Sequence, residues 1–286
     1  MIVVTAATGP LGRLTVEALL ARGVPAGQIV AAVRSPERAA GLAAHGVQVR
    51  EADYDRPDTL ATALAGAERV LLVSGSEVGR RVPQHRAVID AAGAAGARLV
   101  AYTSVLHADR ATLSIAPEHR ATEEYLTASG LPYVLLRNGW YTENYAPAAR
   151  QGVATGTVIG ATGDGRIASA SRADYAEAAA AVLTGGDAHA GKTYELSGDT
   201  AWTMAEFAAD LAEVSGTPVA YRDLTPDAYA HALAGNGMPE ATARLLAGME
   251  ADIAAGALAD TPGDLSGLTG RPTTPLRDTL AALLKD

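Results

Sequence analysis

The chain has 286 residues, no cysteine and a formal net charge of −9. Apolar residues make up 48% and charged residues 19%, a mix that builds a packed core and not a disordered chain. These values exclude disulfides, thiolate metal sites, Fe–S clusters and a cysteine nucleophile, and they argue against a general nucleic-acid binder or a polybasic membrane anchor.

The N-terminus, Met1-Ile-Val-Val-Thr5, has neither a basic n-region nor a cleavage site and begins at once as a strand. No apolar run approaches the roughly 20 residues of a membrane span, so a soluble cytoplasmic protein is expected. Further strands are expected at Ile29–Val33, Val47–Glu51, Arg69–Val73, Leu99–Thr103 and Tyr133–Arg137. Each is nearly all apolar, as a parallel strand covered on both faces should be. Helical patterns lie between them, near Leu11–Arg22, Glu37–His45, Pro57–Ala65, Pro83–Ala95 and Ala116–Ser129. Gly23, Gly46, Gly66, Gly96 and Gly130 follow these helices where a C-terminal cap needs positive φ. Five such strand–helix units predict an α/β fold: a Rossmann-type, doubly wound parallel sheet.

After about residue 140 the rhythm changes. Gly160–Gly165 is expected to turn between two short strands. A helix near Asp174–Leu183, a strand at Thr193–Leu196 and a helix over Trp202–Val214 follow, the last with Thr203 and Glu206 spaced as a capping box. Val219–Tyr221 is a further short strand, and Thr274-Pro275 is expected to cap a final helix. The organisation expected is a dinucleotide-binding domain over 1–140, re-entered around 157–197, and a small α+β lobe over 141–286 that does not fold alone.

The first strand runs into Thr5-Ala-Ala-Thr-Gly9-Pro-Leu-Gly12 and then a helix. Such a turn presents backbone N–H groups and a helix N-terminus to a pyrophosphate. The spacing matches G-x-x-G-x-x-G except at its first position, Ala6. If the turn needs positive φ there, a methyl costs roughly 1 kcal/mol. Pro10 removes one donor but suits a helix start. At the end of the second strand, where an NAD site carries an acidic residue, Arg34 stands instead and suits a 2′-phosphate. NADPH is therefore preferred over NADH, the alternative being a solvated surface Arg34. Asp53 suits the adenine amino group or a helix start, and Ser74-Gly75-Ser76 a close approach to ribose or an ordinary turn.

Several chemistries are missing. No Tyr has Lys four residues on, and Lys192 and Lys285 are the only lysines. There is no Gly-x-Ser-x-Gly elbow and no H-x-x-x-H pair, so serine and metal hydrolysis are disfavoured and no metal is expected. Hydride transfer to a strong electrophile such as a quinone needs no dedicated acid–base pair, only a nicotinamide held against a flat ring. Four of the chain's thirteen aromatic residues, Tyr133, Trp140, Tyr141 and Tyr145, cluster where such a ring would sit. Asn138, at the end of the sixth strand, suits the carboxamide, or else caps backbone. Trp140 and Tyr141 wall the acceptor or pack the lobe. Ser104 is placed after the fifth strand, facing the nicotinamide ribose or capping. His119 is a weak candidate for proton delivery against an ordinary surface histidine. Arg80-Arg81 is read as a solvated loop and Asp174 as a structural helix-start residue.

Ala31-Ala-Val-Arg-Ser-Pro36, Ala52-Asp-Tyr54, Leu71-Leu-Val-Ser-Gly-Ser-Glu-Val-Gly79, Pro83-Gln-His-Arg86, Ala101–Asp109, Leu135–Tyr145, Gly163–Tyr175 and Lys192–Gly198 span nearly the whole chain. Together they resemble the atypical short-chain dehydrogenase/reductase family with an NmrA-like domain, and within it the bacterial type-2 NAD(P)H:quinone oxidoreductases. Arg137-Asn-Gly-Trp-Tyr141 is the most specific block. The resemblance implies NADPH-dependent two-electron reduction of quinones without flavin. It places the phosphate loop on Thr8, Gly9, Leu11 and Gly12, with Pro10 between them, the 2′-phosphate on Arg34, and a small-residue turn on Ser74, Gly75 and Ser76. Asn138, Gly139, Trp140, Tyr141 and Glu143 then flank the nicotinamide and the substrate mouth. Ala6 departs from the family's glycine. The alternatives are a non-catalytic NADP(H)-sensing NmrA-like regulator and an NADPH reductase for another activated carbonyl or double bond. A small quinone is the expected partner, with neither nucleic acid nor membrane, and self-association as a homodimer is left open.

Overall fold

A computed structural model describes residues 1–285, so Asp286, the end of the expected lobe, lies outside the described residues. Seven parallel strands form one sheet in the order β3-β2-β1-β4-β5-β6-β8. They are β1 (Ile2–Thr5), β2 (Ile29–Val33), β3 (Gln48–Glu51), β4 (Arg69–Leu72), β5 (Leu99–Val105), β6 (Tyr133–Asn138) and β8 (Thr193–Leu196). The chain builds outward from β1 through β2 and β3, then returns to lay β4 on the other side of β1. That reversal is the switch point at which open α/β sheets bind ligands beyond their strand C-termini.

Every residue of β2 and β5 is buried because helices cover both faces of the sheet. On one face α1 (Pro10–Ala21) packs on α7 (Arg172–Thr184), with Val16 and Leu19 set among Ala178, Ala179 and Val182. On the other, Leu60 of α3 (Pro57–Ala63), Ile89 of α4 (Arg81–Ala94) and Leu126 of α5 (Ala116–Ala128) meet Val70, Val100 and Tyr102. The five expected cap glycines all have positive φ. The expected helix over Glu37–His45 is instead a 3₁₀ turn, Pro36–Ala39, followed by the short α2 (Ala40–Ala44).

A smaller layer holds α6 (Ala146–Thr155), β7 (Thr157–Gly160), α8 (Met204–Ser215) and β9 (Ala220–Asp223). It also holds α9 (Pro226–Gly235), α10 (Glu240–Ala254) and α12 (Leu276–Leu283), while α11 (Asp264–Thr269) packs on the large sheet through Leu265. The core of the smaller layer is Tyr145, Trp202, Phe207, Leu211 and Ile253. The Thr203–Glu206 capping box is formed. Gly160–Gly165 follows one short strand, β7, which pairs in parallel with the distant β9, but leads to an isolated bridge at Ile167 instead of a second strand. Of the segment 157–197, α7 and β8 lie in the large layer and β7 in the small one.

The segment before α12 is strapped to α7. The fully buried Asp174 accepts from Ser171 Oγ at 2.8 Å, Thr274 N–H at 3.0 Å and Thr274 Oγ1 at 2.9 Å, and pairs with Arg271 at 2.8 Å. Thr274 is therefore no cap for α12, which starts after Pro275, because its hydroxyl is spent on Asp174. No helix among the described residues is long and apolar enough to cross a membrane.

Candidate functional site

The turn after β1 approaches its own helix closely. Ala6 takes φ +48°, the left-handed region in which a methyl is strained. Its carbonyl accepts from Gly9 N–H at 2.8 Å. A Cβ on Gly12 would lie 2.5 Å from that carbonyl oxygen and 2.9 Å from Ala7 Cα, so the position admits only glycine. Pro10 opens α1, and the first ladder bond runs from Arg13 N–H to Gly9 C=O. The N–H groups of Leu11 and Gly12 precede that ladder and face outward with the positive end of the helix dipole, an arrangement that fits a pyrophosphate. Thr8 is half-buried on the same turn, whereas the Leu11 side chain is buried in the core.

Arg34 follows β2 and is 69% exposed, with Nη1 3.3 Å from Glu77 Oε1. Asp53 folds into its own turn: Oδ1 accepts from Asp55 N–H at 3.1 Å and Oδ2 from Arg56 Nε at 3.4 Å. Ser74 N–H donates to Thr103 Oγ1 at 2.9 Å. Gly75 is held from both sides, its N–H donating to His85 Nε2 at 2.9 Å and its carbonyl accepting from Arg81 Nε at 2.6 Å. Ser76 is exposed beside it. Arg81 is therefore not the solvated loop residue expected from the sequence. It is 9% exposed and lies 3.6 Å from Glu118.

At the end of β6, Asn138 is buried. Its Nδ2 donates to Tyr141 Oη at 3.1 Å, and its Oδ1 is buried with no partner. An orphan acceptor at the C-terminal edge of the sheet fits the amide N–H₂ of a nicotinamide. Gly139 lets the chain pass β8, since a Cβ there would lie 3.0 Å from Leu196 O and 3.2 Å from Tyr175 Oη. Tyr141 meets Tyr175 edge-on at 5.1 Å and carries the Arg172 guanidinium 5.0 Å from its ring centroid. Burial pushes its phenol above the ordinary range, while Asn138 and Arg172 draw it back. Trp140 is half-buried against the core of the small layer. Glu143 stands at the same mouth, but its two oxygens accept from Arg172 N–H at 2.9 and 3.1 Å and hold the start of α7.

Two expectations need correction. Ser104 lies inside β5 and not after it, and its hydroxyl donates to the buried Glu123 at 2.5 Å. Glu123 also takes two bonds from Arg137, so the serine is committed away from a ribose. His119 is no surface histidine: it is 4% exposed, and its Nδ1 is hydrogen-bonded to Tyr102 Oη at 2.8 Å. Burial, with the nearby Arg81 cation, lowers its pKa to about 3, and the ring is neutral at ordinary pH. A neutral imidazole so placed does not deliver the proton its sequence position suggested.

Sequence reasoning missed Tyr54 and His85. Tyr54 Oη sits 2.5 Å from Thr5 Oγ1 and donates to Val73 O at 2.9 Å, bridging β1 to the chain after β4 at the switch point. His85 turns its Nδ1 to Thr122 Oγ1 at 3.0 Å, which fixes Nε2 as the acceptor for Gly75. The signals for them were the Ala52-Asp-Tyr54 and Pro83-Gln-His-Arg86 blocks, which carry no role for either residue by themselves.

Comparisons with known proteins give the family. Residues 6–185 match a family described as NAD(P)H-binding. The chain is 50% identical over 283 residues to quinone oxidoreductase 2 of Escherichia coli strain K12, covering 99% of this chain and 98% of that one. It is similar to the crystal structure of the E. coli NADPH-dependent quinone oxidoreductase complexed with NADPH, with TM-score 0.95, 50% identity and 99% and 100% of the two chains covered. It is also similar to Citrobacter sp. triphenylmethane reductase complexed with NADP(H), with TM-score 0.94, 36% identity and 99% and 100% covered. The chain with this strained phosphate turn and this orphan amide oxygen belongs to the NAD(P)H-binding, NmrA-like oxidoreductase family.

Proposed function

We propose that the protein is an NADPH-dependent quinone reductase that passes two electrons to its acceptor as hydride, directly and without flavin. The observation that carries this reading is the unpartnered Asn138 Oδ1, buried at the sheet edge three residues before Tyr141. The quinone oxidoreductase name of the E. coli relative and the NADPH in its crystal structure support it. The cytoplasm, which keeps NADPH reduced, is the compartment we propose.

Each residue has a definite part. The first turn of α1, with Gly9 and Gly12, receives the pyrophosphate, and Thr8 flanks it. Arg34 receives the 2′-phosphate as a planar, charge-assisted partner. Asp53 borders the adenine, and Ser74, Gly75 and Ser76 border the ribose. When bound, the reduced nicotinamide supplies the hydride. Asn138 Oδ1 accepts from its carboxamide and so fixes which ring face is presented. Tyr141 anchors the Asn138 amide through its hydroxyl and, with Trp140, offers flat walls to the acceptor. A quinone that takes up one hydride needs one proton to become the hydroquinone, and water at the mouth supplies it. Catalysis on this reading is orientation and exclusion, not acid–base work.

The test is NADPH oxidation followed at 340 nm with and without a small benzoquinone or naphthoquinone, using Arg34→Glu and Asn138→Ala as controls. Acceptor-dependent oxidation that both variants weaken supports the proposal. NADPH binding without acceptor-dependent oxidation would overturn it.

A further inference from the structure

Arg34 does not stand alone. Glu77 shares its carboxylate between Arg34 Nη1 at 3.3 Å and Arg80 Nη1 at 3.1 Å, and Arg80 Nη2 reaches Asp55 at 2.9 Å. Two guanidinium and two carboxylate groups thus form one row whose charges cancel. A 2′-phosphate that approaches Arg34 meets no net positive charge, but a cation already paired and a carboxylate beside it.

The loop that carries Glu77 is pinned. Gly75 is held by His85 and Arg81, and Gly79 N–H donates to Glu118 Oε1 at 2.9 Å. Glu77 lies between these fixed points, so its backbone stays in place and keeps the carboxylate within reach of Arg34 and Arg80 when a phosphate arrives. It can turn toward Arg80, but its charge remains close.

We propose that Glu77 is a specificity-determining residue that lowers the preference for NADPH over NADH by competing with the 2′-phosphate for Arg34. This rests on the reading that Arg34 receives the 2′-phosphate. The opposing consequences follow from charge. A phosphate ester with close to two negative charges is repelled by the Glu77 carboxylate. A ribose 2′-hydroxyl instead finds in that carboxylate the acceptor that NAD sites ordinarily place after the second strand. Arg34 and Glu77 together thus serve both cofactors, one residue for each.

The experiment measures dissociation constants for NADPH and NADH at one fixed ionic strength, from the cofactor's fluorescence, for the full chain and for Glu77→Gln, Glu77→Lys and Arg34→Ala. Glu77 is 39% exposed, so these substitutions leave the fold intact, which thermal unfolding checks. Glu77→Gln is expected to tighten NADPH by about three- to tenfold, the worth of one or two exposed ion pairs, and to leave NADH unchanged or weaker. Glu77→Lys is expected to extend both trends. If Glu77→Gln leaves NADPH unchanged or weakens it while Arg34→Ala weakens it strongly, the competition is overturned and Glu77 merely positions Arg34. If Arg34→Ala changes neither cofactor, the assignment of the 2′-phosphate fails first, and the inference falls with it.

Discussion

The carbonyl oxygen of Ala6 occupies the space that a side chain on Gly12 would need, 2.5 Å from its Cβ position, while Ala6 itself is held at φ +48°. The strand-to-helix turn is thus as tight as backbone allows at one end and strained at the other. Ala6→Gly relieves the strain but loosens the unfolded chain. Its net effect is expected to be a stabilisation of about 0.5–1 kcal/mol, read as a higher urea midpoint with unchanged m. Gly12→Ala should cost about 2 kcal/mol or more and abolish cofactor binding, because its methyl has only backbone to push against. An Ala6→Gly midpoint at or below that of the parent would show that the strain relieved does not exceed the entropy that glycine adds to the unfolded chain.

Asn138 has its amide nitrogen committed to Tyr141 and its amide oxygen left for a ligand. Asn138→Ala is expected to lower kcat/KM with NADPH by roughly tenfold, the worth of one well-placed hydrogen bond and the orientation it fixes. Tyr141→Phe keeps the ring and frees the amide to rotate, so a smaller loss is expected, mostly in kcat. Steady-state kinetics with NADPH varied at saturating quinone separates the two.

Arg137 pairs with Glu123 and Glu195, both at 2.8 Å, and Glu123 is nearly buried. Arg137→Met alone would leave the Glu123 charge uncompensated and should cost about 3–5 kcal/mol. Arg137→Met with Glu123→Leu should recover most of that loss. Urea unfolding of both variants decides the matter, and equal stabilities would refute it.

Burial lowers the pKa of His85 to about 4 and that of His119 to about 3, with the Arg81 cation a second cause in each. Both lie below the unfolded value near 6.5. The unfolded chain therefore binds more protons in this range, and stability is full above pH 6.5 and lost as pH falls toward 4 and 3. Each histidine contributes a loss of about 1.4 kcal/mol per pH unit over that window. His119→Gln keeps an acceptor for Tyr102 but has no titration. Its loss of stability between pH 6.5 and 5 should be about 2 kcal/mol smaller than the parent's, measured by urea midpoints. Identical losses in the two proteins would sink the assignment.

What the sequence made legible was local. Ile29–Val33 was found to the residue because an unbroken apolar run is what a strand covered on both faces requires. The capping box at Thr203 and the cap glycines were found because their signals span three or four positions. Asn138 could be placed at a sheet edge for the same reason, though not its orphan oxygen. The misses depend on partners remote in the chain. Ser104 meets Glu123 across 19 residues, Asp174 meets Thr274 across 100, and β7 meets β9 across some sixty. Arg81 and His119 look solvated by composition, and only the packing of α4 against α5 encloses them.

The strap over α7 has a consequence for the order in which the molecule assembles. Asp174 is fully enclosed, yet two of its partners, Arg271 and Thr274, lie about a hundred residues further along the chain. Until they emerge from the ribosome, the carboxylate must stay in water, and the start of α7 cannot seat fully beneath it. Docking of the 271–274 segment therefore follows the emergence of α7, and a chain ended before Arg271 would leave a buried charge with no counter-ion at the start of that helix.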